Sequence, residues 1–219
     1  MFTLREWQRN PKHKPNLIVN ASAVDGSDSP QPFPIGMCYI CIKYQNLETQ
    51  IGNHENTVFC GIRDYSDTNR RPESNNRSTI IRTLSSNGIQ NTILHSSEYF
   101  TSLPKYKFVI SPEGNGVDCH RHYEALMAGC IPVVEESEHI RRVYGNCPIL
   151  YTTDYSEITL DYLMKKYDEM IDKTYDFSRL FISSYSPKDQ KKIKANSSAW
   201  TQSVHPLDFN WKISNIFSS

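Results

Sequence analysis

Short apolar runs alternate with amphipathic segments between residues 57 and 181, and this alternation restricts the possible folds more than any other feature of the sequence. The runs have the length and flanking turn residues of buried strands, and they cover residues 56–62, 89–96, 106–114, 131–136 and 147–153. Segments with helical spacing follow them, at residues 78–88, 97–105, 118–130, 137–145 and 156–181. Since strands that alternate with helices form parallel sheets with right-handed crossovers, we predict an α/β fold with a Rossmann-like parallel sheet flanked by helices.

The regularity of this pattern divides the chain into three parts. Residues 57–183 form the predicted Rossmann-like domain. Residues 1–56 are poorly periodic and contain predicted strands only at 16–24 and 35–44. Residues 184–219 form a tail that we expect to pack back on the fold, with Trp200 and Trp211 as anchors rather than ligand-binding residues.

Composition excludes several classes of function. Lys plus Arg and Asp plus Glu each number 24, so the net charge is zero and no overall field attracts nucleic acid or an anionic membrane. No run of eighteen apolar residues and no signal-peptide core are present, so we expect a soluble chain, cytoplasmic or otherwise, that a virus or microbe could encode. Cys38 and Cys41 form a single C-x-x-C without further zinc ligands, so we interpret them as small apolar residues of a buried strand and predict no metal site.

Residues 106–134 carry the strongest chemical signal in the sequence. A predicted strand ends at Ser111, a turn with two glycines follows, and Asp118 stands at the expected N-cap of a helix. Arg121 falls in the first helical turn and Glu124 lies three residues later, hence on the same face. A diphosphate at the helix N-terminus and a ribose at the carboxylate would suit this pair. A solvated i, i+3 ion pair is the alternative, and both remain open here. The pattern matches neither a P-loop nor G-x-G-x-x-G.

The same window resembles the nucleotide-sugar-binding half of exostosin-like (family 47) glycosyltransferases of the GT-B type. The resemblance rests on Lys107-Phe108, Pro112-Glu113-Gly114, Arg121, Glu124-Ala125 and the run from Gly129 to Val133, with an upstream Phe59–Arg63 stretch and an arginine-rich loop. Family 10 fucosyltransferases share a looser version. Where the family commonly has Ser before the Arg, this chain has Cys119-His120, to which the resemblance assigns no role.

The resemblance implies a donor site and a reduced acceptor side. Arg121 would contact the donor diphosphate, Glu124 the ribose hydroxyls, and Arg63 a second phosphate. Other residues implied to line the donor site are Glu113, Gly114, Asn115, Gly116 and Asp118. Residues 1–56 would be a reduced acceptor-side segment, which the tail, a partner chain or a homodimer would complete.

The predicted activity is metal-independent transfer of a sugar, hexose or pentose, from a nucleoside diphosphate sugar, most simply UDP-linked, to a hydroxyl of a glycan or glycoprotein. No cofactor other than the donor substrate is expected, and Arg121 would stabilise the leaving group. An inverting reaction needs a general base, for which the candidates are Asp25, Asp28, His54, Asp64 and His120. The alternative function is a non-catalytic nucleotide- or glycan-binding module derived from a transferase half.

Overall fold

A four-stranded parallel sheet forms the centre of the protein, in a computed structural model that describes residues 1–9, 33–38, 53–72 and 75–196. Its strands are β2 (Asn56–Phe59), β3 (Tyr106–Ile110), β4 (Ile131–Glu135) and β5 (Leu150–Thr152), and they lie side by side in chain order. Phe108 is in register with Val58 on one side and Ile131 on the other. The predicted α/β fold with a Rossmann-like sheet is confirmed.

The helices cover the sheet, and local capping signals explain several of their ends. They are α1 (Leu4–Arg9), α2 (Arg77–Ser86), α3 (Ser96–Ser102), α4 (His120–Met127), α5 (Glu138–Tyr144), α6 (Leu160–Met170) and α7 (Pro187–Asn196). The sequence favours Ser78 as the N-cap of α2 and Asn87-Gly88 as its end. The N-cap is instead Asn76, whose side chain accepts from the Thr79 N–H. Asn87 is the C-cap, and Gly88 follows at φ +81°, in agreement with the predicted end.

The predicted strand at 89–96 is wrong. Residues 89–95 belong to no strand, although they run beside the end of β2. The Asn91 side chain accepts from the Ile62 N–H at 2.8 Å and donates to the Ile62 carbonyl at 2.9 Å. The Thr92 N–H donates to the Cys60 carbonyl. The side-chain amide of Asn91 therefore takes the place of backbone hydrogen bonds that a strand would make here.

The single long helix predicted at 156–181 is also wrong. Helix α6 covers only Leu160–Met170, and the chain then forms β6 (Thr174–Tyr175), which pairs antiparallel with β1 (Phe2–Thr3). Two short 3₁₀ turns, Ser178–Leu180 and Ile182–Ser184, follow. Pairing with residues from the opposite end of the chain thus replaces the last part of the helix that the spacing of apolar residues predicts.

The first residues of the chain pack against this last part of the sheet domain. Trp7 is buried, stacks on Phe177 with 4.0 Å between ring centres, and donates from Nε1 to the Leu126 carbonyl at 2.9 Å. In the 33–38 segment, the ring of Phe33 makes an edge contact with the ring of Tyr185, with 6.4 Å between ring centres. The division of the chain at residues 56 and 183 stays a prediction.

Several predictions for the ends of the chain concern residues outside the described ranges: the strand at 16–24, most of the strand at 35–44, Cys41, Trp200 and Trp211. Of residues 33–38, Met37 alone forms an isolated bridge. Within the described ranges, every helix is too short or too polar to cross a membrane.

Candidate functional site

A cleft of about 1030 Å³ opens at the carboxyl edge of the parallel sheet. Its walls come from the residues after β2, the loop between β3 and α4, the first turns of α4, residues 93–100 and part of the 33–38 segment. Because the carboxyl ends of parallel strands are the usual ligand edge of an α/β sheet, this position agrees with the expected one. The site residues predicted from sequence that line the cleft are Arg63, Gly114, Asn115, Gly116, Asp118, His120, Arg121 and Glu124.

Arg63, Arg77 and Arg121 line the cleft, and none of them forms an ion pair with a carboxylate among the described residues. Arg63 is exposed, whereas Arg121 is the first of two that are at least half-buried. Its Nη2 donates to the Gly61 carbonyl at 2.8 Å. Its Nε and Nη1 are buried and make no hydrogen bond within the described residues. Buried guanidinium N–H groups normally find acceptors, since leaving them unpaired is costly. The Arg121 side chain thus has unused donors at the cleft.

Arg77 is the second such arginine, and it is not among the site residues predicted from the sequence. It is the first residue of α2 and is buried, with its guanidinium donating to the Glu113 carbonyl at 2.7 Å and the Pro112 carbonyl at 3.1 Å. Burial lowers its pKa, and the nearby positive charge of Arg121 lowers it further. The only available signal was its place at the end of an arginine-rich loop, directly before a helical segment. Two like charges therefore face the same cleft.

Glu124 lies on the same face of α4 as Arg121 but does not form an ion pair with it. Its carboxylate is buried and accepts from the Tyr99 hydroxyl at 3.1 Å and from the Cys38 N–H at 3.3 Å. The solvated i, i+3 ion pair, which the spacing left open, is thus not what the structure contains. The carboxylate is instead held at the cleft by neutral donors.

Glu113 and the other arginines of the loop form a network beside the cleft. The Glu113 carboxylate pairs with Arg70, and Arg71 pairs with Asp67 at 2.8 Å and with Glu135 at 3.0 Å. Glu113 is not among the residues that line the cleft. Its carboxylate and those of Asp67 and Glu135 are already paired with the arginines of the loop. The network holds the arginine-rich loop against the ends of β3 and β4.

Asp118 and His120 attach the 33–38 segment to the start of α4. Asp118 is not the N-cap as predicted: that position is Cys119, whose side chain makes no cap bond. The buried Asp118 carboxylate instead accepts from the Ile35 N–H and the Tyr144 hydroxyl, both at 2.8 Å. Burial raises its pKa to about 6.

His120 makes the second of these attachments, with its Nδ1 2.8 Å from the Gly36 carbonyl oxygen. A carbonyl can only accept, so Nδ1 carries the proton in the neutral ring and Nε2 carries the lone pair.

The remaining base candidates lie elsewhere. Asp64 is exposed and is not among the residues that line the cleft. His54 lies before β2, at the opposite edge of the sheet, where its Nδ1 meets the Tyr106 carbonyl at 2.7 Å. Asp25 and Asp28 lie outside the described residues. Among the cleft residues that were not predicted from the sequence are Tyr99 and His139, for which a single sequence offers no signal.

Two further side chains near the cleft, those of His122 and Cys119, are uncharged at neutral pH. His122 is fully buried, burial lowers its pKa to about 3, and its Nδ1 lies 2.6 Å from the Ser111 hydroxyl oxygen. Burial raises the pKa of the Cys119 thiol to about 11, so this cysteine is protonated at neutral pH. No group of three or more His, Cys, Asp or Glu side chains suited to a metal ion occurs among residues 1–9, 33–38, 53–72 and 75–196.

Comparison with known families gives one match. Residues 68–179, about half of the chain, match the model described as the RXYLT1 C-terminal domain. The matched range includes the loop between β3 and α4, Arg77, Arg121 and Glu124, and it lies inside the predicted 57–183 domain. No curated protein sequence matches the chain.

Proposed function

Because this chain belongs to the RXYLT1 C-terminal domain family, a family of glycosyltransferases, we propose that it transfers a pentose from a UDP-linked donor to a hydroxyl of a glycan acceptor. The family is that of a ribitol xylosyltransferase and corresponds to the C-terminal half of a GT-B-like enzyme. The family supports a pentose as the transferred sugar. The resemblance to a nucleotide-sugar-binding half supports donor binding by this part of the chain. The exostosin-like resemblance supports the same general activity.

Two cleft arginines that are at least half-buried and have no carboxylate partner among the described residues carry the proposal. Arg77 and Arg121 repel each other, and Arg121 has two buried nitrogens without acceptors in the described ranges. An anion with several oxygens would relieve both penalties, because guanidinium groups bind phosphate oxygens through paired, charge-assisted hydrogen bonds. The N-terminus of the eight-residue helix α4 adds backbone N–H groups and a favourable dipole at the same place. A nucleoside diphosphate has the charge and reach that this arrangement needs.

The proposed mechanism uses these charges in place of a metal ion. As the bond between the sugar and the diphosphate breaks, negative charge grows on the leaving diphosphate. Donors that are already oriented toward that charge stabilise the transition state more than the ground state. In the proposed site Arg121 faces the diphosphate, Arg77 adds a second positive charge to the same cleft, and Glu124 binds the ribose hydroxyls. The loop at 114–116 approaches the donor with its backbone.

We assign the general base to His120. Of the three predicted bases that lie in the described ranges, His54, Asp64 and His120, it is the one that lines the cleft, and its Nε2 holds the lone pair. His120→Asn keeps a side-chain N–H that can donate to the Gly36 carbonyl but removes Nε2. We expect kcat to fall by about a hundredfold or more, with UDP affinity unchanged within about twofold. Steady-state transfer assays and calorimetry measure the two, and an unchanged kcat would move the base elsewhere.

A thermal-shift titration with UDP, GDP and their sugars tests the proposal itself. A ligand that binds only the native state stabilises it by about 2.7 kcal/mol at a hundred times its Kd, which corresponds to several degrees in melting temperature. We expect the largest shift with UDP or a UDP-pentose, the same with and without EDTA. No shift with any nucleoside diphosphate would refute the proposed donor. A shift that requires Mn²⁺ would refute the metal-free mechanism, and binding without hydrolysis or transfer would favour the non-catalytic module.

A further inference from the structure

Tyr99, on helix α3, contacts both charged residues that α4 directs to the cleft. Its hydroxyl donates to Oε2 of Glu124 at 3.1 Å, and its ring lies under the Arg121 guanidinium, with 5.9 Å between the ring centre and Cζ. We propose that Tyr99 is a positioning residue for the donor site, which holds the Glu124 carboxylate in its binding orientation. This inference rests on the proposed function, in which Glu124 binds the ribose.

The Tyr99 ring is itself held in place by aromatic neighbours. Phe100 meets it edge-on with 4.6 Å between ring centres, and Phe59, at the end of β2, lies 5.8 Å away at a tilted angle. Both phenylalanines are buried. Rigid neighbours matter because a positioning group is useful only where its own rotamer is locked by packing. The hydroxyl of Tyr99 is therefore presented to Glu124 from a fixed point.

The hydrogen bonds of Glu124 show what this hydroxyl contributes. A carboxylate has about four acceptor sites, two on each oxygen. The Tyr99 hydroxyl occupies one site on Oε2, and the Cys38 N–H occupies one on Oε1. One site on each oxygen receives no donor from the described residues, which suits two neighbouring hydroxyl groups such as those of a ribose. Without the Tyr99 hydroxyl, one oxygen loses its anchor and the carboxylate must be ordered when the ligand binds.

The role of the hydroxyl can be separated from that of the ring. Tyr99→Phe keeps the aromatic packing and the face under Arg121 but removes the donor to Glu124. We therefore expect the Kd for UDP and the KM for the donor sugar to rise about tenfold, as for a lost hydrogen bond to a charged group, with kcat unchanged within about twofold. A merely structural role would lower the melting temperature without this split between KM and kcat.

Tyr151→Phe is the matched control. Its hydroxyl is buried and makes no hydrogen bond within the described ranges, and it does not line the cleft. The same chemical change there should leave the Kd for UDP unchanged. A double-mutant cycle completes the test: in a Glu124→Ala background, Tyr99→Phe should have no further effect on UDP affinity, since its target is gone.

The outcomes separate this inference from the proposed function. If the unmodified protein binds UDP and Tyr99→Phe weakens binding only when Glu124 is present, the inference is supported. If the unmodified protein binds UDP and both tyrosine variants bind equally well, or if Tyr99→Phe acts equally without Glu124, the positioning role is overturned while the donor site stands. If the unmodified protein binds no nucleoside diphosphate, the proposed function fails and the inference fails with it.

Discussion

Arg121 and Glu124 lie three residues apart on α4, and their surroundings suit them to different tasks. Arg121 has two buried nitrogens without acceptors in the part of the chain that the structure describes, so it can stabilise a negative charge that grows during a reaction. Glu124 is buried and already accepts two hydrogen bonds, so its carboxylate is held in one orientation before any ligand arrives. In the proposed reaction the first residue should affect the chemical step, and the second should affect binding of the donor.

Substitution of these two residues should therefore give different kinetic results. Arg121→Ala should lower kcat at saturating donor by about a hundredfold or more, because stabilisation of the leaving diphosphate is lost. Arg121→Lys should recover only part of this, since an ammonium lacks the planar fork that grips two phosphate oxygens.

Glu124→Gln should instead weaken UDP binding by about tenfold and leave kcat nearly unchanged, because its contact is equal in ground and transition states. Calorimetry with UDP and steady-state kinetics measure these effects. Wild-type UDP affinity in both the Arg121→Ala and Glu124→Gln variants would mean that the donor lies elsewhere.

At the scale of elements, the loop between β3 and α4 is shaped by arginines from the neighbouring loop. The carbonyls of Pro112 and Glu113 accept from Arg77, and the carbonyl of Gly114 accepts from Arg70 at 3.2 Å. A Cβ at Gly114 would lie 2.8 Å from Nη2 of Arg77, whereas a Cβ at Gly116 would meet nothing closer than 3.8 Å. A side chain at Gly114 would therefore displace the end of the Arg77 side chain, whereas a side chain at Gly116 would not.

The two glycines of this loop provide a matched pair of variants. Gly114→Ala should displace Arg77 and raise the Kd for UDP by about tenfold, since a phosphate ligand and two loop contacts are disturbed together. Gly116→Ala should have a clearly smaller effect, because its Cβ makes only an ordinary contact. Calorimetry at one temperature compares them, with circular dichroism to verify folding. Equal affinities for both variants would show that the close approach of Arg77 has no part in binding.

At the scale of the whole molecule, distant parts of the chain meet at the start of α4. Asp118, His120 and Glu124 each bind the backbone of the 33–38 segment, at Ile35, Gly36 and Cys38 respectively. At the other end of the same helix, Trp7 donates from its ring nitrogen to the Leu126 carbonyl. The helix that carries the candidate site is thus also the meeting point of sequence-distant segments.

Asp118 should make the stability of the whole fold depend on pH. Burial raises its folded-state pKa to about 6, above its value in the unfolded chain, so the folded state binds the proton more tightly. This contribution to stability is fully present below about pH 4 and is lost as pH rises through about pH 6. Asp118→Asn can keep both hydrogen bonds, with its oxygen accepting from Ile35 and its amide donating to the Tyr144 oxygen, and it carries no charge.

The variant should therefore become more stable relative to the unmodified protein as pH rises. Between about pH 4.5 and pH 7.5 the difference in the free energy of unfolding should grow by on the order of 2 kcal/mol. Urea unfolding of both proteins at several pH values measures it, and other titrating groups cancel in the comparison. A difference that stays constant with pH would mean that the carboxylate remains well hydrated.

Local sequence by itself determined most of the alternation of strands and helices, the turn at residues 112–117, and the shared face of Arg121 and Glu124. These features depend on residues a few positions apart, because helical and strand periods and backbone freedom are local properties. For the same reason the family resemblance could be drawn from one window of the chain. Eight of the predicted site residues line the cleft.

Tertiary structure decided the rest. Residues 89–96 are not a strand because Asn91 bonds to Ile62, and the helix ends at Met170 because residues 174–175 pair with residues 2–3. Arg77 and Tyr99 join the site through contacts with residues 25 or more positions away, and Glu113 is drawn to Arg70. A single sequence cannot specify these partners, since side-chain hydrogen bonds and charge pairs between distant residues depend on how the elements pack.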